Sequence, residues 1–450
     1  MSPSHAVAVI GGATAGAEVA RKLADRGAEV TVFDMNPRPF GKIEDGLPRW
    51  HRALRDKEYA SITDRLSSPS IHFVPSTKIG RDLSFDALTK DWGFSAVVLA
   101  CGAWRDRPLP ITGAEAYEGK GLIYQNPFII AFNHSEEANF SGRRFKIEDG
   151  ALVLGGGLAS IDVCKLLMLE TVKDRLERRG IRVDIEEMEK KGIPATLEEH
   201  QLSLAALEVK GCTLFYRRRA EDMPLMEAPE GATPERLQKV EDSRKKILGK
   251  AMEKFGFAFE PLSMPEGLIT EGDRLVGLKF QRAKVEGKKL VGTGEHFERR
   301  GAYIVSSIGS IPEPMPGLSM KGELFPFTDM QLGRLEGYPT VFSAGNVVTG
   351  KGNIIASRKH ATLVADEMIE RFLGLAEGGH AGEEAIHDAI QKKASAEAAA
   401  VAGAIQLLPT VSAADLEKSR QRVAERQRAV GYSGDLNAWL KSVAPRPAHT

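Results

Sequence analysis

Short apolar runs recur along the chain, and several deliver the backbone into glycine. Residues 7–10 lead into Gly11-Gly12, residues 96–100 into Cys101-Gly102, residues 151–154 into Gly155-Gly156-Gly157, and residues 340–344 into Gly345. An apolar run of this length without polar alternation, bounded by turn residues, predicts a buried strand of a parallel sheet. After the first run, residues 17–26 have helical spacing, with Val19, Ala20 and Leu23 on one face, and residues 29–33 form the next strand. After the third, residues 159–167 are helical with Ile161, Val163, Leu166 and Leu167 apolar, and the next strand spans 212–216. Each is a strand–turn–helix–strand unit with glycine at the turn. Residues 170–210, charged and broken at Ile193-Pro194, read as a helical insertion on the surface.

This order of elements predicts an α/β fold of two Rossmann-like three-layer domains with a helical C-terminal arm. The first domain is expected in two parts, residues 1–115 and 326–375, with the second at 116–325 and the arm at 376–450. In the arm, residues 381–406 are alanine-rich and helix-prone, Leu408-Pro409 ends that helix, Ser412 is an N-cap for a helix to residue 430, and residues 436–443 form a last one. The arm either packs on the core or serves as a homodimer or partner contact.

Composition narrows the class. The 450 residues are 42% hydrophobic and 27% charged, and 61 basic residues balance 61 acidic ones. Zero net charge disfavours a general nucleic-acid binder. The N-terminal residues have neither the basic nor the long apolar region of a signal peptide, and no apolar run is long enough to cross a membrane. Cys101, Cys164 and Cys212 are too far apart in sequence for a CxxC, cluster or zinc motif. These features predict a cytoplasmic protein without disulfides or metal.

The first turn, Gly11-Gly12-Ala13-Thr14-Ala15-Gly16, opens a helix. A helix N-terminus offers free N–H groups and a positive dipole end to a pyrophosphate. Asp34, 23 positions after Gly11, stands where an acid accepts hydrogen bonds from ribose hydroxyls. Ala13 occupies the middle glycine position, and its methyl group is expected to push a phosphate slightly outward. The second turn begins 144 positions later, with Ser160 at its third small position, and its following strand runs into Arg217-Arg218-Arg219. Guanidinium groups bind phosphate through paired N–H donors, so they favour NADP over NAD. An acid after one turn and arginines after the other predict two different dinucleotides, FAD and NADPH. Hydride transfer between them needs stacking and alignment more than acid–base groups, so no catalytic side chain is expected.

Further segments carry a family resemblance. Pro39-Phe40-Gly41 followed by Gly46-Leu47-Pro48, the Ala100-Cys101-Gly102 and Ala344-Gly345 turns, and Tyr216-Arg217-Arg218 with Met223-Pro224 are similar to motifs of the two-dinucleotide flavoprotein reductases. The chain resembles, within them, adrenodoxin reductase, bacterial ferredoxin–NADP reductases of that type and the glutamate synthase small subunit, from about residue 5 to about residue 373. The resemblance implies that Gly11, Ala13, Ala15, Gly16 and Asp34 hold the FAD pyrophosphate and ribose. It places Gly41, Lys42, Leu47 and Gly102 beside the flavin, with Gly345, Asn346, Asn353 and Ile354 approaching the ribityl chain and ring. It gives Gly155, Gly157, Leu158 and Ala159 to the NADP turn and Arg217 and Arg218 to the 2′-phosphate, with Arg219 assisting. Asn346 stands where many relatives have Asp. Glu44-Asp45 replaces an Arg–aromatic pair and is expected to reverse the charge near the flavin.

The same resemblance implies electron transfer to a ferredoxin-like iron–sulfur protein. Acidic carriers dock on basic surfaces, for which Arg143, Arg144 and Lys146, or Arg105 and Arg107, are candidates. Two other readings stay open: an electron-input subunit of a larger, glutamate-synthase-like oxidoreductase, and a nucleotide-binding redox sensor without turnover.

Overall fold

Residues 6–10 are buried at every position and form strand β1 (Ala6–Ile10), covered on both faces. The structure, a computed structural model, describes residues 4–446 other than 227, 229–230, 288, 350–369, 372, 376–379 and 381–382. β1 pairs in parallel with β2 (Glu29–Phe33), Ala6 opposite Glu29 and Ile10 opposite Phe33. β3 (Ile71–Val74), β4 (Ala96–Leu99) and β17 (Val341–Ser343) complete a parallel sheet in the order β17-β4-β1-β2-β3. Helix α1 (Thr14–Ala24) makes the crossover from β1 to β2, and buries Ala17, Val19, Ala20 and Leu23 in the core of this domain. Helices α2 (Gly41–Asp45), α3 (Arg52–Leu66) and α4 (Phe85–Lys90) complete it.

The second domain repeats the plan. β6 (Leu122–Tyr124), β7 (Leu152–Gly155), β8 (Thr213–Phe215), β9 (Ala258–Glu260) and β13 (Ile304–Ser307) form a parallel sheet in the order β6-β13-β7-β8-β9. Helices α5 (Gln125–His134), α6 (Leu158–Glu177) and α9 (Pro234–Phe255) belong to it. An antiparallel meander, β10 (Ser263–Glu271), β11 (Arg274–Glu286) and β12 (Lys289–Arg300), packs Leu275, Leu278 and Phe280 against Leu154 and Phe215 of the sheet.

The chain leaves the first domain through β5 (Arg105–Asp106) and returns through β14 (Ser310–Ile311), which pair with each other. Leu109, Ile111 and Ala114 pack with the second sheet, and Met315 and Phe325 with the first. The exchange therefore lies at these two strands rather than at residues 115 and 325. A short hairpin, β15 (Phe327–Asp329) and β16 (Arg334–Leu335), and the turn of helix α10 (Asn346–Thr349) flank β17.

Two expectations change. Helix α6 runs to Glu177, well past residue 167. The segment after it is not a surface insertion: α7 (Ile185–Lys191) and α8 (Ile193–Glu199) bury Ile185, Met188, Ile193 and Leu197 in the core shared with α6 and α9. Pro194 sits in the first turn of α8, where its missing N–H costs nothing, and starts a helix instead of breaking one.

The C-terminal arm packs on the first domain. α11 (Glu384–Ile405) contributes Ala398, Val401, Ala402 and Ile405 to the core that contains α1. α12 (Ala413–Ala429) is capped by Ser412, whose hydroxyl accepts from Asp415 N–H. Arg420 donates to both Glu29 oxygens at 2.9 and 2.6 Å. From α13 (Leu436–Ser442), Trp439 donates to the Pro37 carbonyl at 2.7 Å.

These anchors titrate. Burial pulls the Glu29 carboxyl up, but hydrogen bonds from His72 and Arg420 outweigh it and hold it at about 2. Glu383, just before α11, is held at about 2 against burial by His380 and His51. Their contribution is full above the ordinary carboxylate value of 4.5 and is lost as pH falls through about 2. Burial lowers His380, but Glu189 and Glu383 outweigh it and raise the imidazole. That contribution is full below 6.5 and is lost as pH rises through the raised value. The arm should therefore be held most tightly between pH 4.5 and 6.5. Protease release of the C-terminal helices, measured against pH, should be slowest in that window; a rate that does not change with pH would contradict this.

Candidate functional site

The first glycine turn is shaped by contact between backbones. Gly11 has φ +102°, and a Cβ there would lie 2.6 Å from the Ala100 carbonyl oxygen. A Cβ at Gly16 would lie 1.8 Å from the Gly11 oxygen, so this glycine lets α1 press against β1. At the start of α1, Ala13 is the N-cap residue, gives no side-chain hydrogen bond and has no acid in the turn after it. Side chains cap α4, α7, α9, α12 and α13 (Ser84, Asp184, Thr233, Ser412 and Asp435). Helices α2, α3, α5, α8 and α11 lack a side-chain cap as α1 does, but none of these five follows a glycine turn at the end of a parallel strand. The first N–H groups of α1 are left for an anion.

In front of that turn lies a cavity of about 480 Å³. Gly11, Ala13, Ala15, Asp34, Gly41, Lys42, Gly102, Gly345 and Asn346 all line it. Gly16 lies behind the wall as a packing residue, and Leu47 is buried with Trp50 and Leu54 in a core instead of facing the cavity. Asn353 and Ile354 lie outside the described residues. The departure at Ala13 is accommodated by Gly41 (φ +51°), where an added Cβ would stand 2.9 Å from the alanine methyl.

Asp34 follows β2 directly. Its carboxylate accepts from Gly12 N–H at 2.7 Å and Asn36 N–H at 2.9 Å, bracing the turn from below. Burial pushes its pKa up to about 6 despite those two bonds, so further donors such as ribose hydroxyls would favour its ionised form. Glu44 and Asp45 stand behind the cavity wall, although the charge of Asp45 is still felt by Asp34 and Lys42. Glu44 pairs with Arg38, Asp45 accepts from His134 at 3.0 Å, and neither carboxylate lines the wall.

The wall also contains residues that sequence reasoning missed. Trp104 closes the side near Gly102, and α11 contributes Lys393 and Glu397, whose carboxylate accepts from Gly345 N–H at 3.0 Å. The motif-bearing segments hold Trp104 nearby in sequence, whereas nothing in the alanine-rich arm marks it as a cavity wall.

The second turn has the same construction. A Cβ at Gly155 would lie 2.6 Å from the Ser160 Cβ, so serine serves at the third small position. Gly157 is the N-cap of α6, again with no side-chain cap and no acid in the first turn. Ile10 pairs with Phe33 before Asp34, and Leu154 pairs with Phe215 before Tyr216. Tyr216 thus takes the place of the acid, and its ring would lie 2.2 Å from a Cβ at Gly156. Arg217 beyond it is exposed. Arg218 Nε lies 3.6 Å from Asp222. Arg219 is committed elsewhere, with two hydrogen bonds to Asp222 at 2.9 and 3.1 Å.

Behind these sites a buried network joins α6, α7 and the arm. Lys165 Nζ lies 2.8 Å from Glu189 and 3.3 Å from Asp162, and donates to the Leu373 carbonyl at 3.0 Å. His380 is 3.0 Å from Glu189, and His51 is 3.1 Å from Glu383. Nitrogens of His51 and His380 and an oxygen of Glu383 lie within 4.8 Å of one another, close enough for a metal. Lys165, however, already supplies positive charge to Asp162 and Glu189, and Glu189 and Glu383 outweigh burial to raise the His380 imidazole.

The fold also brings Cys164 and Cys212 together, which their spacing does not show; Cys212 Sγ is 3.7 Å from the Cys164 carbonyl. Both are buried in the second domain, and burial raises the Cys164 thiol well above its ordinary value. Cys101 does line the cavity, and burial pushes its thiol up to about 12. On the surface, Arg107 is neutralised by Glu323 at 2.9 Å. Arg143 and Arg144 donate to the Gly119 and Ser135 carbonyls and lie over Phe145 and Phe140, which leaves their charge available.

Residues 5–209 match the family described as "Pyridine nucleotide-disulphide oxidoreductase". The chain is 25% identical over 406 residues to the mitochondrial NADPH:adrenodoxin oxidoreductase of Arabidopsis thaliana, covering 79% of each chain. It is 30% identical over 165 residues to cindoxin reductase of Citrobacter braakii, where it spans 34% of that relative and 36% of itself. Among solved structures, Mycobacterium tuberculosis FprA in complex with NADPH has the same fold, with a TM-score of 0.64 at 18% identity, covering 95% of this chain and 91% of that one. Among the described residues, no helix is long and apolar enough to cross a membrane.

Proposed function

We infer that the chain is an FAD-dependent NADPH oxidoreductase that passes electrons to a ferredoxin-like iron–sulfur protein. The observation that carries this reading is the pair of uncapped helix N-termini at equivalent glycine turns, one followed by Asp34 and the other by Tyr216-Arg217-Arg218. A flavin bound at the first would take hydride from the nicotinamide and give up electrons one at a time. The residues present suit that cofactor. The open α1 N-terminus, with Gly11, Ala13 and Ala15, holds a pyrophosphate; Asp34 orients a ribose; Gly345 and Asn346 face the ribityl side. Ile10, Ile43 and Met315 line the cavity and exclude water. At the second turn, Gly155, Gly157, Leu158 and Ala159 receive the other pyrophosphate, and Arg217 and Arg218 the 2′-phosphate. The charges of Arg143 and Arg144 suit an acidic carrier. The relationship to NADPH:adrenodoxin oxidoreductase and cindoxin reductase supports a small redox protein as acceptor.

The purified protein should be yellow, bleach on anaerobic addition of NADPH, and recover its absorbance on addition of an oxidised ferredoxin. Colourless protein that takes up no added FAD would sink the proposal. Bleaching without reoxidation by any ferredoxin, together with co-purification of a large partner, would point instead to an electron-input subunit.

A further inference from the structure

Lys42 lies in the cavity wall between Gly41 and Ile43. Its Nζ donates to Asn126 Oδ1 and to Ser310 Oγ, each at 3.1 Å, and stands 5.6 Å from the centre of the Trp104 ring. Both hydrogen-bond partners are neutral, and among the described residues no carboxylate oxygen comes within 4.0 Å of the ammonium. The arrangement is fixed from behind. Asn126 donates through Nδ2 to the Trp104 carbonyl at 2.9 Å, which leaves Oδ1 turned to the lysine. Its backbone N–H is bonded to Asp106 at 3.2 Å. Burial pushes the Lys42 ammonium down to about 8 against the pull of Asp106 and Asp45, so it remains largely charged at neutral pH. A buried cation without an ion pair is expensive to keep, and a cavity that keeps one is suited to a ligand that becomes negative.

Its position says which part of the ligand. Asn126 belongs to α5 of the second domain and Ser310 to the return strand β14, so Lys42 sits at the seam of the two domains. The α1 N-terminus and Asp34 fix the pyrophosphate and adenosine of a bound FAD in the first domain. Its redox ring must then face the second domain, where the hydride donor is held. We propose that Lys42 supplies the positive charge that balances the negative charge brought to the flavin ring by hydride transfer, an assignment that rests on the flavin reading above. Hydride carries two electrons and one proton, so a neutral ring becomes an anion as NADPH becomes NADP⁺. A fixed cation beside it favours the reduced form.

Sulfite reads this charge without turnover, because it adds reversibly to the oxidised ring and leaves the adduct anionic. In the holoprotein, Lys42→Met and Lys42→Gln should weaken sulfite binding by about 10- to 100-fold, the order expected for losing one unit charge in a partly buried site. The flavin midpoint potential should fall in both, and Lys42→Arg should restore both readings. Unchanged sulfite affinity and potential in flavin-loaded Lys42→Met or Lys42→Gln would overturn the proposal while leaving the flavin reading intact. If the neutral variants lose flavin and Lys42→Arg retains it with wild-type sulfite affinity, the lysine holds the cofactor instead of tuning it, and the proposal also fails. Wild-type protein that binds no FAD would instead mark failure of the functional reading itself.

Discussion

Replacing Arg217 and Arg218 together by serine should lower the preference for NADPH over NADH by about two to four powers of ten, if the two contacts are additive. Each charge-assisted contact to a phosphate is worth roughly 1.5–3 kcal/mol. The register of the sheets supports the assignment, because the residue after β2 is Asp34 and those after β8 are Tyr216, Arg217 and Arg218. The structure also separates the three arginines. Arg217 is exposed and Arg218 lies 3.6 Å from Asp222, whereas Arg219 spends its guanidinium on two bonds to Asp222 at the start of a short helical turn. Arg219→Ala should therefore change the preference far less than either neighbour. The measurement is anaerobic stopped-flow reduction of the flavin by each nucleotide. An unchanged ratio in the double variant, or a larger change from Arg219→Ala, would remove the arginine argument.

The parts of the fold legible in the sequence are those whose signal is local. Residues 7–10 and 151–154 show their strands because burial on both faces leaves no polar position, and the glycines after them mark turns that a Cβ would block. What escaped is tertiary. Asp162, Lys165 and Glu170 break the apolar pattern of α6, and a charge reads as solvent; here Asp162 and Lys165 are buried because they pair with each other, and Lys165 pairs with Glu189 as well. The arm gives no hint that Arg420 meets Glu29, 391 positions away, or that Glu397 reaches the Gly345 turn. The domain exchange rests on two strands of two residues each, too short to show a period. The partners of Glu44 and Asp45, Arg38 and His134, are likewise set by folding and have no local mark in the sequence.

Lys165→Met should destabilise the protein by about 3–5 kcal/mol, the usual cost of leaving buried charge without its partner. The lysine is fully buried, 2.8 Å from Glu189, 3.3 Å from Asp162, and between the rings of Trp50 and Phe255 at 4.7 and 5.1 Å. Methionine keeps most of the stem, so the loss comes mainly from the ammonium and not from a cavity. Burial pulls Glu189 up, yet Lys165 and His380 hold its carboxyl below the usual range, which shows how much of its charge they compensate. Without Lys165, three carboxylates, those of Asp162, Glu189 and Glu383, are left with only His380 and His51 as ion-pair partners among the described residues. Adding Glu189→Gln to Lys165→Met removes one of those charges and should recover part of the loss, because a neutral buried pair costs less than a broken ionic one. The hydrogen bond from Lys165 to the Leu373 carbonyl also ties α6 to the segment that precedes the arm. Urea unfolding of the single and double variants measures the balance. A change below about 1 kcal/mol for Lys165→Met, the range of an exposed pair, would mean that water or a shifted proton already compensates these carboxylates and that the network does not hold the two domains and the arm together.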